Sequence, residues 1–296
     1  MNRAPWSTVL PAAALGLLLS GCPVAPPPSQ FPTAEDALGR MKSTLSCANG
    51  VQGEGRLDHL SPRGRVKGSV LIFAINPARV RFDVVSPFGA MLYTLTSNGT
   101  DFQMLDFGQK RFLQGPATAC NLARLTQVPV PGHVLVSLLR GEAPLLVHRP
   151  EQASIDWDAG GFYRVQLEST RQAQQEVHLE VYDEDFDKPW KEQRLRVTAV
   201  TTSQQGAVLY EADLSGHELA HTAPAREDPD GLADPIPPSG PTCDVEIPRK
   251  IRIRVPHSND DALFEYKTVV LNPPIPDGAF SQAPTAGARP ERVECE

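Results

Sequence analysis

The pentapeptide HELAH at residues 217–221 has the residue types and the spacing of a zinc protease. On a helix, His217 and His221 would lie one turn apart and could both bind a metal, while Glu218 would activate a water molecule. The flanking sequence does not suit this chemistry, because Pro224 leaves room for barely two helical turns and no further zinc ligand follows at a protease spacing. We therefore predict an exposed loop with two surface histidines. Zinc hydrolysis, or an adventitious zinc site, is kept as the least favoured alternative.

The acidic run YDEDFD offers a second set of candidate metal ligands, namely Asp183, Glu184, Asp185 and Asp187. It lacks the glycine turn and the spaced bidentate glutamate of an EF-hand loop, so a solvated hairpin tip is favoured over a calcium site. The sequence also contains no nucleophile elbow, no phosphate-binding loop and no dinucleotide fingerprint. It therefore predicts a protein that is not an enzyme, has no catalytic residue and needs no cofactor or metal.

The N-terminal residues have the composition of an export signal. A basic residue, Arg3, is followed by an apolar run from Val9 to Leu19 that is too short to span a bilayer as a permanent helix. The run ends in LSGC, which resembles the bacterial lipobox, where the cysteine is acylated after cleavage. We predict a signal peptide over residues 1–21 and a lipid on Cys22; the alternative is an ordinary signal with a chance cysteine.

The residues that follow support a membrane anchor. Residues 22–32 are rich in proline and predict an extended tether that holds a domain about 30 Å from the membrane. Because Pro23, and not aspartate, follows the cysteine, the pattern resembles that of lipoproteins sorted to the outer membrane. We therefore expect a bacterial lipoprotein that faces the periplasm.

Net charge and cysteine content limit the partners and the compartment that we expect for this protein. The formal charge of −7 argues against nucleic-acid binding, which needs a basic surface. Apart from Cys22 there are four cysteines, Cys47, Cys120, Cys243 and Cys295. In an exported protein these can form two disulfides with three possible connectivities, and free thiols are the alternative.

Hydrophobic periodicity predicts one mainly β (α+β) domain over residues 33–283. Ala34, Leu38 and Met41 have helical spacing after Thr33, a good N-cap. About 11 strands then follow, nearly all in consecutive antiparallel order. The stretch VLIFAI, residues 70–75, is apolar on both faces, as expected of a strand that a helix covers on one side. Residues 215–242 predict a loop insertion, and residues 284–296 predict a flexible tail.

A sheet of this length curls to avoid exposed edges. If it curls without closing, the sheet is a half-open antiparallel β-barrel whose concave face must be covered by the N-terminal helix and by the helical segment at residues 131–141. The space between sheet and helices would be apolar and could be hollow.

Five segments follow one another along the chain: GEGRL, PARVRFDVVSPFG, SNGTDFQMLDF, VPVPGHVLVSLLRGE and VVLNPPIPDGAF. Their order resembles that in the LolA/LolB-like group of periplasmic lipoprotein carriers and acceptors. The resemblance implies an incomplete antiparallel barrel, closed by helices around an apolar cavity that takes acyl chains. The chain departs from the group in its 215–242 insertion, in its cysteines and in lacking a clearly matched arginine to lock the lid, so the cargo stays open.

Strand phase and resemblance together predict the site residues. The cavity wall would contain Phe73, Phe82, Val84, Leu95 and Met104, and the lid would contain Val134, Leu135, Leu138 and Leu139. The resemblance further implies a membrane-contacting loop at the SPFG corner, with Phe88 at its tip and Met91 and Leu92 behind it. The alternative is that Phe88 caps the core beneath the turn.

These features predict a monomeric, outer-membrane lipoprotein that binds acyl chains or lipidated polypeptides and transfers them at equilibrium. The lipid anchor would attach it to the membrane, and nucleic acid is not an expected partner. The main alternative is a scaffold of an envelope complex whose sheet is filled with side chains. An apolar cavity would favour the first reading and a solid interior the second.

Overall fold

A computed structural model of the chain describes residues 23–62, 64–86, 88–126 and 128–295. Within these residues it contains three α-helices, α1 (Ala34–Thr44), α2 (Ala119–Thr126) and α3 (Gly132–Leu139). The strands are β1 (Gly50–Ser61), β2 (Gly64–Ile75), β3 (Arg79–Val85), β4 (Met91–Ser97), β5 (Asp101–Asp106), β6 (Arg111–Pro116), β7 (Ala153–Asp158), β8 (Phe162–Glu168), β9 (Ala173–Val181), β10 (Leu195–Gln204), β11 (Ala207–His221), β12 (Asp244–Val255), β13 (Asp260–Leu271) and β14 (Arg289–Arg292).

All the described strands belong to one sheet, in the order β14-β6-β5-β4-β3-β2-β1-β13-β12-β11-β10-β9-β8-β7. Neighbouring strands are antiparallel except β14, which pairs parallel to β6. The sheet is open, with β14 and β7 at its edges. The predicted mainly β, half-open architecture is therefore confirmed, with 14 described strands in place of about 11. The four residues of β14 are all exposed, so they carried no apolar alternation by which to predict a strand.

The sheet curves around α3, which contacts β2, β3 and β12. In the sheet order, β12 lies four strand spacings from β3, or about 19 Å at about 4.8 Å per step. A helix about 10–12 Å across reaches both strands only if the sheet bends around it. The rings of Phe82 on β3 and Phe264 on β13 meet at 6.1 Å between centroids. We call the face that packs against the helices the inner face and the opposite face the outer face.

Helix α1 forms as its sequence predicts. The Thr33 side chain accepts a hydrogen bond from the Asp36 backbone amide at 3.1 Å, which satisfies one of the free donors of the first turn. Ala34, Leu38 and Met41 are buried, and the helix packs against β7 and β10.

Strand directions define two rims of the sheet. The turns that follow β1, β3 and β5 lie on one rim, which we call the Phe88 rim. The turns that follow β2, β4, β7 and β9 lie on the other, which we call the Val24 rim because Val24 binds there. The 12 residues of β1 connect the rims, which corresponds to about 40 Å.

The proline-rich segment that was predicted as a free tether packs on the domain as far as it is described. The Val24 amide donates to the Ala159 carbonyl at 3.0 Å, and the Trp157 indole donates to the Val24 carbonyl at 3.0 Å. Further along, the buried Phe31 ring contacts Tyr163 and Trp190 with centroids 5.3 and 5.6 Å away. An aromatic anchor of this kind gives enough burial to hold an otherwise extended segment against the sheet.

The C-terminal residues also differ from the predicted flexible tail. Arg289–Arg292 form β14, and Cys295 is joined to Cys120 of α2 by a disulfide. Upstream of them, Phe280 packs against Phe73 of β2 on the outer face. The second apolar face of residues 70–75 is thus covered by an irregular segment.

Candidate functional site

A cavity of about 770 Å³ opens on the inner face at the Phe88 rim. Its volume is within the roughly 300–1,000 Å³ of small-molecule binding sites. The walls come from the rim-side ends of β1 to β4, with contributions from β5, β13 and α2. The apolar lining residues are Leu57, Val66, Val70, Val84, Val85, Leu92, Tyr93, Met104 and Leu263. The polar ones are Arg56, Asp58, Lys67, Ser69, Ser86, Arg124 and Glu265.

Four of the five predicted wall residues lie on the inner face. Phe82, Leu95 and Met104 are directly opposite one another on β3, β4 and β5, and Val84 follows Phe82 by two residues. Val84 and Met104 line the cavity. Phe82 and Leu95 do not line it, because they are fully buried in the core of side chains that fills the rest of the inner face.

The assignment of Phe73 to the cavity wall is wrong. Ile72 faces the inner core, so its neighbour Phe73 points to the outer face, as the period of two requires. There Phe73 packs against Phe280 with ring centroids 4.8 Å apart. The sequence 70–75 is apolar at every position, so it could not fix the phase of this strand.

The predicted lid is a core helix. Val134, Leu135, Leu138 and Leu139 are all buried in α3, and so is Val136. His133 is the exposed residue of this helix, and a helix with buried side chains on most of its faces is normally enclosed by the protein. The Tyr266 hydroxyl on β13 also donates a hydrogen bond to the Leu139 carbonyl at 3.3 Å, which fixes the end of the helix.

Arg140, directly after α3, was not recognised from the sequence. Its buried guanidinium donates from Nε to the Ala48 carbonyl at 2.9 Å, again from Nη2 to the same oxygen, and forms an ion pair with Glu142 at 3.0 Å. Burial lowers the pKa of Arg140, against the opposing effect of Glu142. The only sequence signal was a basic residue in the last turn before Gly141, which is common at helix ends.

Phe88 is 97% exposed at the β3–β4 corner, so it does not cap the core. Leu92 nearby is 40% exposed, Met91 is partly exposed, and Phe107 on the next turn of the same rim is 41% exposed. The mouth of the cavity is therefore bordered by apolar side chains. That these residues contact a membrane stays a prediction.

The HELAH residues lie on a strand, not on the predicted exposed loop, because β11 continues to His221. Four residues along a strand place His217 and His221 about 13 Å apart, too far to share one metal ion. His221 pairs with Asp244 at 2.7 Å, and Glu218 accepts from Arg249 at 2.8 Å. The loop was predicted to begin at residue 215, but the strand continues to His221. Gly216 does not end the strand, because glycine accommodates its φ of +64° there.

His217 is mostly buried, and its Nε2 has no partner among the described residues. Burial, together with the nearby charge of Arg196, lowers the pKa of His217 to about 4. The ring is therefore neutral at pH 7. Within the described ranges, no group of three or more histidine, cysteine or acidic side chains could hold a metal ion.

The acidic run YDEDFD was predicted to be a solvated hairpin tip, but part of it is a buried ion-pair cluster. The fully buried Asp185 accepts from Arg194 Nε at 2.6 Å and from Lys188 at 2.5 Å. Although burial alone would raise it, these hydrogen bonds hold the pKa of Asp185 well below its usual range. The carboxylate that could have bound calcium is thus already neutralised by its neighbours.

The four cysteines form two disulfides, Cys47–Cys243 and Cys120–Cys295. The first joins the end of α1 to the start of β12, and the second joins α2 to the C-terminal residues. Cys22, the predicted lipidation site, and the predicted signal peptide lie outside the described residues.

A second cavity, of about 820 Å³, lies on the outer face between β1–β3, β13 and residues 223–226 and 274–279. Arg81 and Asp83 line it and form an ion pair at 2.8 Å, while the other carboxylate oxygen of Asp83 has no partner in the described part of the chain. Its polar lining combines carboxylates and guanidinium groups, with Glu54 and Arg226 among them, so its charge does not select one ligand class.

No helix in the described ranges is both long and apolar enough to cross a membrane. No protein-family model matches the sequence, and no curated protein matches it.

Comparison with solved structures found similar chains. One is a putative outer membrane lipoprotein-sorting protein domain from Vibrio parahaemolyticus, with 8% identity, a TM-score of 0.44 and coverage of 82% of this chain and 95% of that one. Another is a DUF1329 family protein from Desulfovibrio piger, with 9% identity, a TM-score of 0.49 and coverage of 84% and 96%. A LolA superfamily protein from Nitrosomonas europaea has 12% identity, a TM-score of 0.46 and coverage of 84% and 98%. These descriptions include the group that the sequence resembles; likeness at this level carries no substrate or partner to this chain.

Proposed function

We propose that this protein binds the acyl chain of a lipid or of a lipidated polypeptide in the inner-face cavity. The observation that carries the proposal is a cavity of about 770 Å³ with a largely aliphatic wall, open at a rim where Phe88 is 97% exposed. The role is reversible binding and transfer, and no catalytic step is involved.

The cavity wall suits an alkyl chain better than a polar ligand. Val66, Val70, Val84 and Met104 contribute aliphatic surface, and each ligand methylene that they shield from water stabilises the complex by about 0.8 kcal/mol. Eight shielded methylenes would therefore contribute about 6 kcal/mol before the losses of ligand and side-chain freedom. Arg56 and Lys67 also border the site, but they alternate with the inward-facing Leu57 and Gly68 and so point to the outer face, where Lys67 pairs with Asp58 at 3.1 Å. Arg124 of α2 is the basic side chain that could pair with a carboxylate or phosphate at the mouth.

Other features support an exported, anchored protein. Two disulfides suit an oxidising compartment such as the periplasm. The lipobox-like LSGC sequence adds an acyl anchor at Cys22, which would keep the domain on a membrane surface, in our proposal that of the outer membrane.

The proposal is tested by titrating the delipidated chain with a fluorescent long-chain fatty acid and displacing it with palmitate. We expect saturable binding at one site, displacement by palmitate and much weaker displacement by hexanoate, because a short chain fills less of the wall. Binding that is absent, or insensitive to chain length, would contradict the proposal.

A scaffold role is the second candidate, favoured by one observation. Away from the cavity, the space between sheet and helices is filled with side chains, and Leu135, Leu138 and Leu139 of α3 are fully buried. If the titration shows no acyl binding, we would assign the protein a scaffold role, in which its outer surface binds the partners of an envelope complex.

A further inference from the structure

We propose that the Val24 rim is the membrane-facing surface of this protein, so that the acyl cavity opens away from the bilayer that holds the lipid anchor. The inference rests on the proposed anchor at Cys22 and on the proposed acyl-binding role of the cavity. It assigns the membrane contact to the rim opposite Phe88, in contrast to the prediction from the SPFG corner.

Val24 is held at the β7–β8 turn. Its backbone amide and carbonyl are bonded to Ala159 and Trp157, at and beside the β7–β8 turn. Its side chain also lies against Gly161, where an added Cβ would be 3.4 Å from Val24 Cγ1. Two peptide units separate Cys22 from Val24, so their Cα atoms are at most about 7 Å apart. Acyl chains on Cys22 must therefore enter the bilayer next to this turn.

The segment after Val24 is bound to the domain and so does not act as a flexible linker. The Ser29 hydroxyl accepts a hydrogen bond from the Trp190 amide at 3.0 Å, and the Ser29 carbonyl accepts from the Gln193 side chain at 2.9 Å. Phe31 is buried between Tyr163 and Trp190. The anchor and the domain consequently have a fixed relative orientation.

The side chains of the Val24 rim suit the interfacial layer of a membrane. Trp157 and Trp190, the two tryptophans of the described residues, both lie at this rim and are partly exposed. Tryptophan favours the headgroup level because its ring is apolar and its N–H is polar. Lys191 lies over the Trp190 ring at 5.4 Å.

The charge of the β9–β10 connection indicates which lipids this surface meets. Exposed acidic residues such as Asp183, Glu184 and Asp187 accompany the basic Lys188 and Lys191. Since both signs are present, a zwitterionic headgroup layer fits this surface, and a strongly anionic one gives no added attraction.

The opposite rim then points into solution. The strand length places Phe88 and the cavity mouth about 40 Å from the Val24 rim, far beyond the headgroup layer that the anchor reaches. Ligand enters or leaves the cavity from the aqueous side.

The test uses the full chain, acylated at Cys22 and reconstituted in phosphatidylcholine vesicles that contain a headgroup spin-labelled lipid. Phe88→Cys and Ala159→Cys each add one free thiol for a bimane label, because the four described cysteines are paired. Both positions are exposed, so they form a matched pair. We expect the label at position 159 to be quenched at least fivefold more strongly than the label at position 88, with little change when phosphatidylglycerol is added.

Equal quenching at both positions, or stronger quenching at position 88, would overturn the proposal. Loss of vesicle binding in Cys22→Ala is required as well, and a chain that binds vesicles equally without Cys22 would also overturn it. Palmitate binding is measured in parallel with the protein labelled at position 159, which lies far from the cavity mouth. Its loss would contradict the acyl-binding function, while the quenching ratio alone decides the orientation.

Discussion

Gly68 offers a way to fill the proposed cavity without disturbing the sheet. It lies on β2 and lines the cavity, and a Cβ added there would meet only Val84 Cγ1 at 3.7 Å, an ordinary contact. Its φ is not in the left-handed region, so a side chain introduces no backbone strain. Gly68→Phe would therefore place a phenyl ring in the cavity.

The expected loss of affinity follows from the displaced ligand. A phenyl ring that excludes about four methylenes removes about 3 kcal/mol of transfer free energy, or about 200-fold in Kd. The free protein should not be destabilised, since replacing a strand glycine and burying apolar surface both favour the folded state.

Isothermal titration with palmitate measures the affinity, and thermal unfolding measures the stability. Gly39→Phe is the matched control, because Gly39 is on the exposed side of α1 with no atom within 4 Å of an added Cβ. We expect wild-type affinity for this control. Unchanged palmitate affinity in Gly68→Phe, with the fold intact, would refute the assignment of the acyl site to this cavity.

Three other substitutions test the structure around the site. Replacing the Cys47–Cys243 pair with serines should lower the free energy of unfolding, measured in urea, by about 3 kcal/mol. Replacing the Cys120–Cys295 pair should have a similar effect, because separations of 196 and 175 residues differ by only about 0.1 kcal/mol in loop-closure entropy; an unchanged free energy in either variant would contradict the stabilising role of that disulfide. The pKa of His217 is lowered to about 4 in the folded chain. The contribution of its neutral ring to the free energy of unfolding is therefore complete above pH 6.5 and is lost as the pH falls towards 4. His217→Gln should therefore remove about 2 kcal/mol of the stability change between pH 6.5 and 4, and an unaltered pH profile would contradict the burial of the ring. Arg140→Met should lower the free energy of unfolding by about 2–4 kcal/mol, because it leaves the buried Ala48 carbonyl without the Arg140 donors. Amide hydrogen exchange in α3 should become faster in this variant. An unchanged exchange rate would show that Arg140 does not hold the helix in place.

The alternation of apolar residues was sufficient to predict the open, curved sheet and α1, because each strand with one wet face reveals its phase. It failed where that signal is missing. Residues 70–75 are apolar throughout, so Phe73 was placed on the wrong face, and the exposed residues of β14 carry no apolar pattern at all. Whether a strand faces a helix or an irregular segment depends on contacts distant in the chain.

The candidate site was predictable in part for the same reason. Val84 and Met104 follow from strand phase, whereas Leu57, Val66 and Val70 join them only through the pairing of β2 with β1 and β3. The docking of the proline-rich segment depends on Phe31 meeting Tyr163 and Trp190, more than 130 positions later, which composition cannot show. The burial of Arg140 likewise depends on Ala48, which lies 92 positions earlier in the chain, before β1.

Photocrosslinking with a palmitate that carries a diazirine near its methyl end would locate a bound acyl chain in the protein. After irradiation and proteolysis, mass spectrometry identifies the modified residues. If the inner-face cavity holds the acyl chain, we expect adducts on the cavity wall, at Val70, Val84 or Met104, and unlabelled palmitate should suppress them. Adducts confined to the outer-face residues 268–279, or spread without competition over the surface, would contradict it.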